Sequence, residues 1–109
     1  MRVILDECLP RKLGLELVGH VVTTVPKAGW AGILNGRLLG LIDGNFDAFV
    51  TIDKNLPAQQ KMGALSFGVV VLRAPSNRLK DLRPLIPSVL SALTALKPGQ
   101  MALVGAPRP

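Results

Sequence analysis

Ala48 to Ile52 is an almost unbroken run of apolar, largely aromatic and β-branched residues, and few places in a fold accept such a run. A strand with one wet face alternates apolar and polar side chains, whereas a strand covered on both faces does not. Residues 48–52 therefore read as the central strand of a mostly parallel sheet. Val3-Ile4-Leu5 and Gly68-Val69-Val70-Val71-Leu72 read the same way. Residues 21–25 supply another strand, and Met101-Ala102-Leu103-Val104 a short one at an edge.

The segments between them carry helical spacing. Pro10 opens a first helix with Leu13, Leu15, Leu17 and Val18 as its apolar positions. Asn35 is the expected N-cap of a second helix, with Leu34, Leu38, Leu39, Leu41 and Ile42 at helical spacing. Residues 57–63 read as a short helical turn. A leucine stripe from Leu79 to Leu96 marks a last helical region, broken once by Pro84 and Pro87, with its longer part starting near Pro84. This alternation predicts a three-layer α/β/α fold. Right-handed crossovers then give the strand order 2-1-3-4, with the short strand at one edge. Residues 1–104 form one domain and 105–109 a disordered tail.

Composition narrows the function classes. No apolar run reaches the roughly eighteen residues of a membrane span, and the chain enters its first strand without a signal-peptide layout. A single cysteine excludes a disulfide framework and points to a reducing cytoplasm. Cys8 itself reads as a packing residue and His20 as a turn residue. Thirteen Lys and Arg against seven Asp and Glu leave a net charge of +6, which favours an anionic partner such as RNA or an acidic protein. With only Trp30, Phe46, Phe49 and Phe67 as aromatics, a stacking platform for single-stranded bases is not expected.

The acids are more informative than the bases. Asp6, Glu7 and Asp53 each fall just after a strand, while Asp43 and Asp47 precede the central one and read as turn chemistry. In the 2-1-3-4 order the sheet reverses between strands one and three, where open α/β sheets bind ligands at their carboxyl edge. Asp6 and Asp53 would then stand about one strand spacing, roughly 5 Å, apart. Two carboxylates that close either share a proton or share a cation. Without a His or Cys cluster, oxygen ligands fit Mg²⁺ or Mn²⁺, which serve phosphate chemistry. Glu7 is placed to reach the same ion or orient a water. Asn35, Arg37, Lys54 and Arg73 are candidate substrate-binding residues on the rim, Arg73 pairing with Asp53 or with a phosphate. The bland alternative is that Asp6 and Asp53 cap loops or pair with Arg11 and Lys54.

Three blocks resemble the signature segments of small prokaryotic PIN-like proteins: Val3-Ile4-Leu5-Asp6-Glu7-Cys8-Leu9-Pro10, Gly19-His20-Val21-Val22-Thr23, and Val50-Thr51-Ile52-Asp53-Lys54-Asn55-Leu56. Asn35-Gly36-Arg37-Leu38-Leu39 and Leu56-Pro57-Ala58-Gln59-Gln60 are similar to one branch of that family, and the likeness runs from strand one through Arg73. It implies a PIN-type fold and a Mg²⁺-dependent ribonuclease, often the toxin of a toxin–antitoxin pair. Carried over, the first family acid falls on Asp6, the Thr-x-Asp acid on Asp53 and the strand-end arginine on Arg73. The chain departs from the pattern where PIN nucleases carry another acid on the helix after strand two, for it reads Asn35-Gly36-Arg37 there. The family's fourth acid has no counterpart, since Asp81 suits a helix start.

Two other classes compete. A non-catalytic PIN-like module would bind RNA or a partner protein through the same basic edge. A phospho-receiver would need a Ser or Thr closing strand four and a Lys closing strand five, but strand four ends in Leu72-Arg73-Ala74. Two further expectations concern surfaces. The loop carrying Trp30 should lie beside the site. The last helix, without a charge between Pro84 and Leu96, should be covered by a homodimer contact or an antitoxin.

Overall fold

The buried runs do assemble side by side. A computed structural model describes residues 1–52 and 64–105. It contains β1 (Arg2–Leu5), a 3-10 helix (Arg11–Glu16), β2 (Val21–Thr24), α1 (Asn35–Ile42), β3 (Ala48–Thr51) and β4 (Gly68–Leu72). α2 (Leu79–Leu82), a second 3-10 segment (Arg83–Leu85), α3 (Ile86–Ala95) and β5 (Met101–Val104) complete it. The strands form one sheet in the order β2-β1-β3-β4-β5, and every neighbouring pair is parallel. Among the described residues no helix is long and apolar enough to cross a membrane.

Strand alternation divides the core. Val3, Leu5, Val50, Val70 and Leu72 face one side, where Leu13 and Leu17 of the first 3-10 helix meet Leu82 of α2 and Val89 and Leu93 of α3. Ile4, Phe49, Val69 and Val71 face the other, against Leu38, Leu39 and Ile42 of α1. β1, β3 and β4 lack a wet face, which is why they read as continuous apolar runs.

The crossover from β1 to β2 is a 3-10 helix and not the α-helix that spacing suggests. Six residues at the 3-10 rise span roughly 12 Å, close to the roughly 13 Å of a four-residue strand; six α-helical residues would span roughly 9 Å. Leu13 and Leu17 are buried, but Leu15 and Val18 are 81% and 70% exposed, so the expected apolar stripe is half as wide. Gly14 lets this helix lie on β2, because a Cβ there would stand 2.9 Å from Val22 Cγ1. α1 begins at Asn35 itself, with Leu34 in the cap position and no side-chain cap bond.

The last helical region breaks at Arg83–Leu85, which holds Pro84, and its longer part starts at Ile86 with Pro87 in the first turn. Its leucines are tucked inward. Leu85, Ile86, Leu90 and Leu96 pack on the first core cluster, leaving Ser88, Ser91 and Thr94 outside. The apolar arc of this helix is thus packed in part on the first core cluster. Large exposed apolar side chains lie elsewhere, at Leu15, Val18, Val21, Leu34 and Leu103. The turn expected over 57–63 and the tail beyond Gly105 lie outside the described residues.

Candidate functional site

Asp6 stands at the point where the strand order turns back on itself. Its backbone N–H donates to the Val50 carbonyl at 2.9 Å, so the β1–β3 ladder runs one residue past the strand and brings Asp6 beside Thr51. The buried Thr51 hydroxyl donates to Asp6 Oδ2 at 2.6 Å, and the Glu7 N–H donates to Oδ1 at 2.8 Å. Asp6 thus accepts a hydroxyl on one oxygen and an amide N–H on the other, and the Cys8 thiol also hydrogen-bonds to its carboxylate. Oxygens oriented this way suit a hard cation.

The neighbouring thiol registers that charge. Cys8 is half-buried, and its pKa is raised, first by burial and then by the Asp6 charge; the Ile52 backbone and the Thr51 side chain act in the opposite direction. A thiol raised above its ordinary value is protonated at neutral pH, so Cys8 does not present a thiolate nucleophile.

Glu7 is exposed, and both of its oxygens accept the Gly32 N–H, at 3.1 and 3.3 Å. The loop after β2 is thereby tied back to the end of β1. The Trp30 ring does not share that position. It packs edge-on against Phe46, with centroids 6.1 Å apart at 84°, and Phe46 lies just before β3 at the opposite end of the sheet. The loop reaches the site through its glycine and not through its indole.

The basic rim is partly in view. Arg37 is exposed on the first turn of α1. Arg73 directly follows β4; its N–H donates to the Val104 carbonyl at 2.7 Å, and its Nε is buried without a hydrogen-bond partner among the described residues. The Asn77 side chain donates to the Cys8 carbonyl at 2.8 Å, joining the loop after β4 to the one after β1. Asp53 and Lys54 lie outside the described residues, as do Gln59 and Gln60, and so does the separation of Asp6 from Asp53. Asn35 is the first residue of α1. Among the described residues no three His, Cys, Asp or Glu side chains are grouped to hold a metal ion.

The remaining acids are structural. Asp47 Oδ2 accepts the Arg2 N–H at 2.7 Å, and Asp43 Oδ1 accepts both the N–H and the hydroxyl of Ser66. Asp81 lies in the first turn of α2 and accepts the Ser76 hydroxyl. Glu16 pairs with Arg83 at 2.7 Å, the sole ion pair among the described residues. His20 Nδ1 lies 3.4 Å from the terminal ammonium, at the end of the sheet remote from Asp6.

Sequence reasoning did not single out Thr51, Gly32 or Asn77. Thr51 left a signal: it is the one polar residue in the central apolar run, and a buried hydroxyl needs a partner. Gly32 and Asn77 left none, because their partners depend on how two loops meet. No protein-family model matches the chain, and no match is found among curated proteins or among solved structures.

Proposed function

We propose that this chain is a PIN-like, Mg²⁺- or Mn²⁺-dependent ribonuclease acting at the carboxyl edge of its sheet. The observation that carries this reading is Asp6, a carboxylate at the switch point of a parallel sheet, held in place by a hydroxyl from the adjacent strand. Asp6 would hold the ion together with Asp53, which follows Thr51 by two residues. When bound, such an ion supplies Lewis-acid polarisation of a phosphoryl oxygen. The chain's own residues do the rest. Thr51 and the Glu7 N–H fix the rotamer of Asp6. Arg37, Lys54 and Arg73, with Asn35, hold RNA phosphates. The role of a toxin with an antitoxin partner follows from the resemblance alone, and a cytoplasmic setting from the single cysteine.

A second reading is favoured by two observations. Glu7 is occupied by Gly32, and Arg37 stands where the resembled nucleases carry an acid. On these the chain is a non-catalytic PIN-like module. Calorimetry with Mn²⁺ and cleavage of single-stranded RNA distinguish the two. The nuclease reading expects binding and cleavage that disappear in Asp6→Asn and Asp53→Asn while the melting curves stay unchanged. Equal metal binding by all three proteins, or no cleavage by any, overturns it.

A further inference from the structure

We infer that the outer edge of β2 docks an extended acidic segment of another protein, by strand addition. β2 is the end strand of the sheet. The Val21 N–H donates to the Met1 carbonyl and the Val25 N–H to the Leu5 carbonyl, so these residues turn their backbone groups inward. By alternation the N–H and carbonyl of Val22 and the N–H of Thr24 face outward. The strip closes at Thr24, whose carbonyl accepts the Ala28 N–H and whose hydroxyl accepts the Lys27 N–H. An open strand edge of this kind is a template for another strand.

A groove of about 850 Å³ runs beside this edge, between β2 and the first 3-10 helix. Its charged lining residues are Arg11, Lys12 and Lys27, with His20 also on its wall, and no acid lines it. Those three bases make no ion pair among the described residues. Leu15 and Val22 add apolar lining, and Leu15 is 81% exposed. Asp6 is not part of the lining, and nothing in the groove depends on metal or catalysis.

The chemistry selects the occupant. RNA phosphates would answer the bases, but a phosphate has no N–H for the Val22 carbonyl, and no Trp, Tyr or Phe lines the groove as a stacking platform for bases. A second copy would pair β2 with β2 and bring Arg11, Lys12 and Lys27 against bases of their own kind. Among the described residues, the acids of this chain are already engaged within its own fold, at Asp6, Glu7, Glu16, Asp43, Asp47 and Asp81, so a second copy has no free acidic strand to offer. An extended peptide of alternating Asp or Glu and aliphatic residues meets all three demands: backbone donors and acceptors, negative charge and apolar contact.

The test uses the full chain in EDTA, with a fluorescein-labelled peptide of alternating Glu and Val. A Lys and Val peptide and a twelve-nucleotide oligouridylate serve as comparisons. Anisotropy should show saturable binding of the acidic peptide alone. Proton–nitrogen spectra should show the Val22 and Thr24 amides shifting and becoming protected from exchange. Arg11→Glu with Lys12→Glu should weaken binding by at least about tenfold, with an unchanged melting curve; each lost charge-assisted contact of 1.4 kcal/mol is one factor of ten. Four results overturn the inference: no binding of the acidic peptide, equal binding by the charge-reversed variant, protection of Val22 by RNA in its place, or protection of Val22 in the free chain that grows with protein concentration. The amide readout needs no substitution, so a variant that fails to fold leaves the test intact.

Discussion

Acids stand at both ends of this sheet, and the two ends use them differently. At the amino end, Asp47 holds the Arg2 N–H and Asp43 brackets Ser66, so each carboxylate fastens one turn to another at the surface. At the carboxyl end, Asp6 takes a hydroxyl from a fully buried residue of the next strand and lies against a half-buried thiol. The same side-chain chemistry is a bracket in one place and a held charge in the other. The field of a carboxylate reaches further where its neighbours are protein and not water. The lesson is that an acid's role is set by what lies behind it, more than by what it bonds.

The contrast can be broken most directly at Thr51. Thr51→Val keeps the shape and removes the hydroxyl, and should lower stability by about 1–2 kcal/mol, near the lower end for a bond to a charged group because Asp6 is partly exposed. Urea unfolding measures this, and a change within error would mean that Asp6 is not held from behind. A smaller effect is expected at Cys8. In EDTA, its rate of alkylation by iodoacetamide should rise only above the ordinary thiol range. In Asp6→Asn the midpoint should move to lower pH without reaching the ordinary value, because burial is the larger cause and persists. An unmoved midpoint would erase the difference between the ends. The smallest effect belongs to Asp43, whose pKa is lowered by the Ser66 hydroxyl and then by its N–H. A depressed carboxylate stabilises the fold above its unfolded value of 3.8 and loses that contribution as pH falls through the folded value. Asp43→Asn should therefore flatten the stability profile only below about pH 4, as read by thermal melts across the acid range.

Much of this architecture was legible in the residues. The runs at Val3–Leu5, Ala48–Ile52 and Gly68–Leu72 required covered strands, and right-handed connection left little choice of order. Asp6 was legible as a strand-end acid because polarity changes abruptly after Leu5. What could not be read was whatever depends on distance between segments. The Leu13 and Leu17 pair suits an α-helix and a 3-10 helix equally, and only the height of the sheet decides between them. That Glu7 also accepts the Gly32 N–H depends on the loop after β2 and leaves no mark in the sequence. The leucine stripe of the last helix looks too wide for one sheet face, yet the 3-10 turn at Arg83–Leu85 rotates its two parts so that both find the same cluster. The remaining part of the candidate site, Asp53 and Lys54, lies outside the described residues.

β1, β2, β3 and β5 are each four residues long, and that shortness has an electrostatic consequence. The two ends of the sheet are separated by roughly 13 Å. The screening length is about 8 Å at physiological ionic strength and about 30 Å at 0.01 M. In dilute buffer, solvent-exposed charges at either end act on one another, and an anion approaching either rim meets the surplus of the whole chain. At physiological salt the rims are insulated, and each attracts only through the bases beside it. Ionic strength thus sets whether this protein presents one electropositive body or two separately addressed faces.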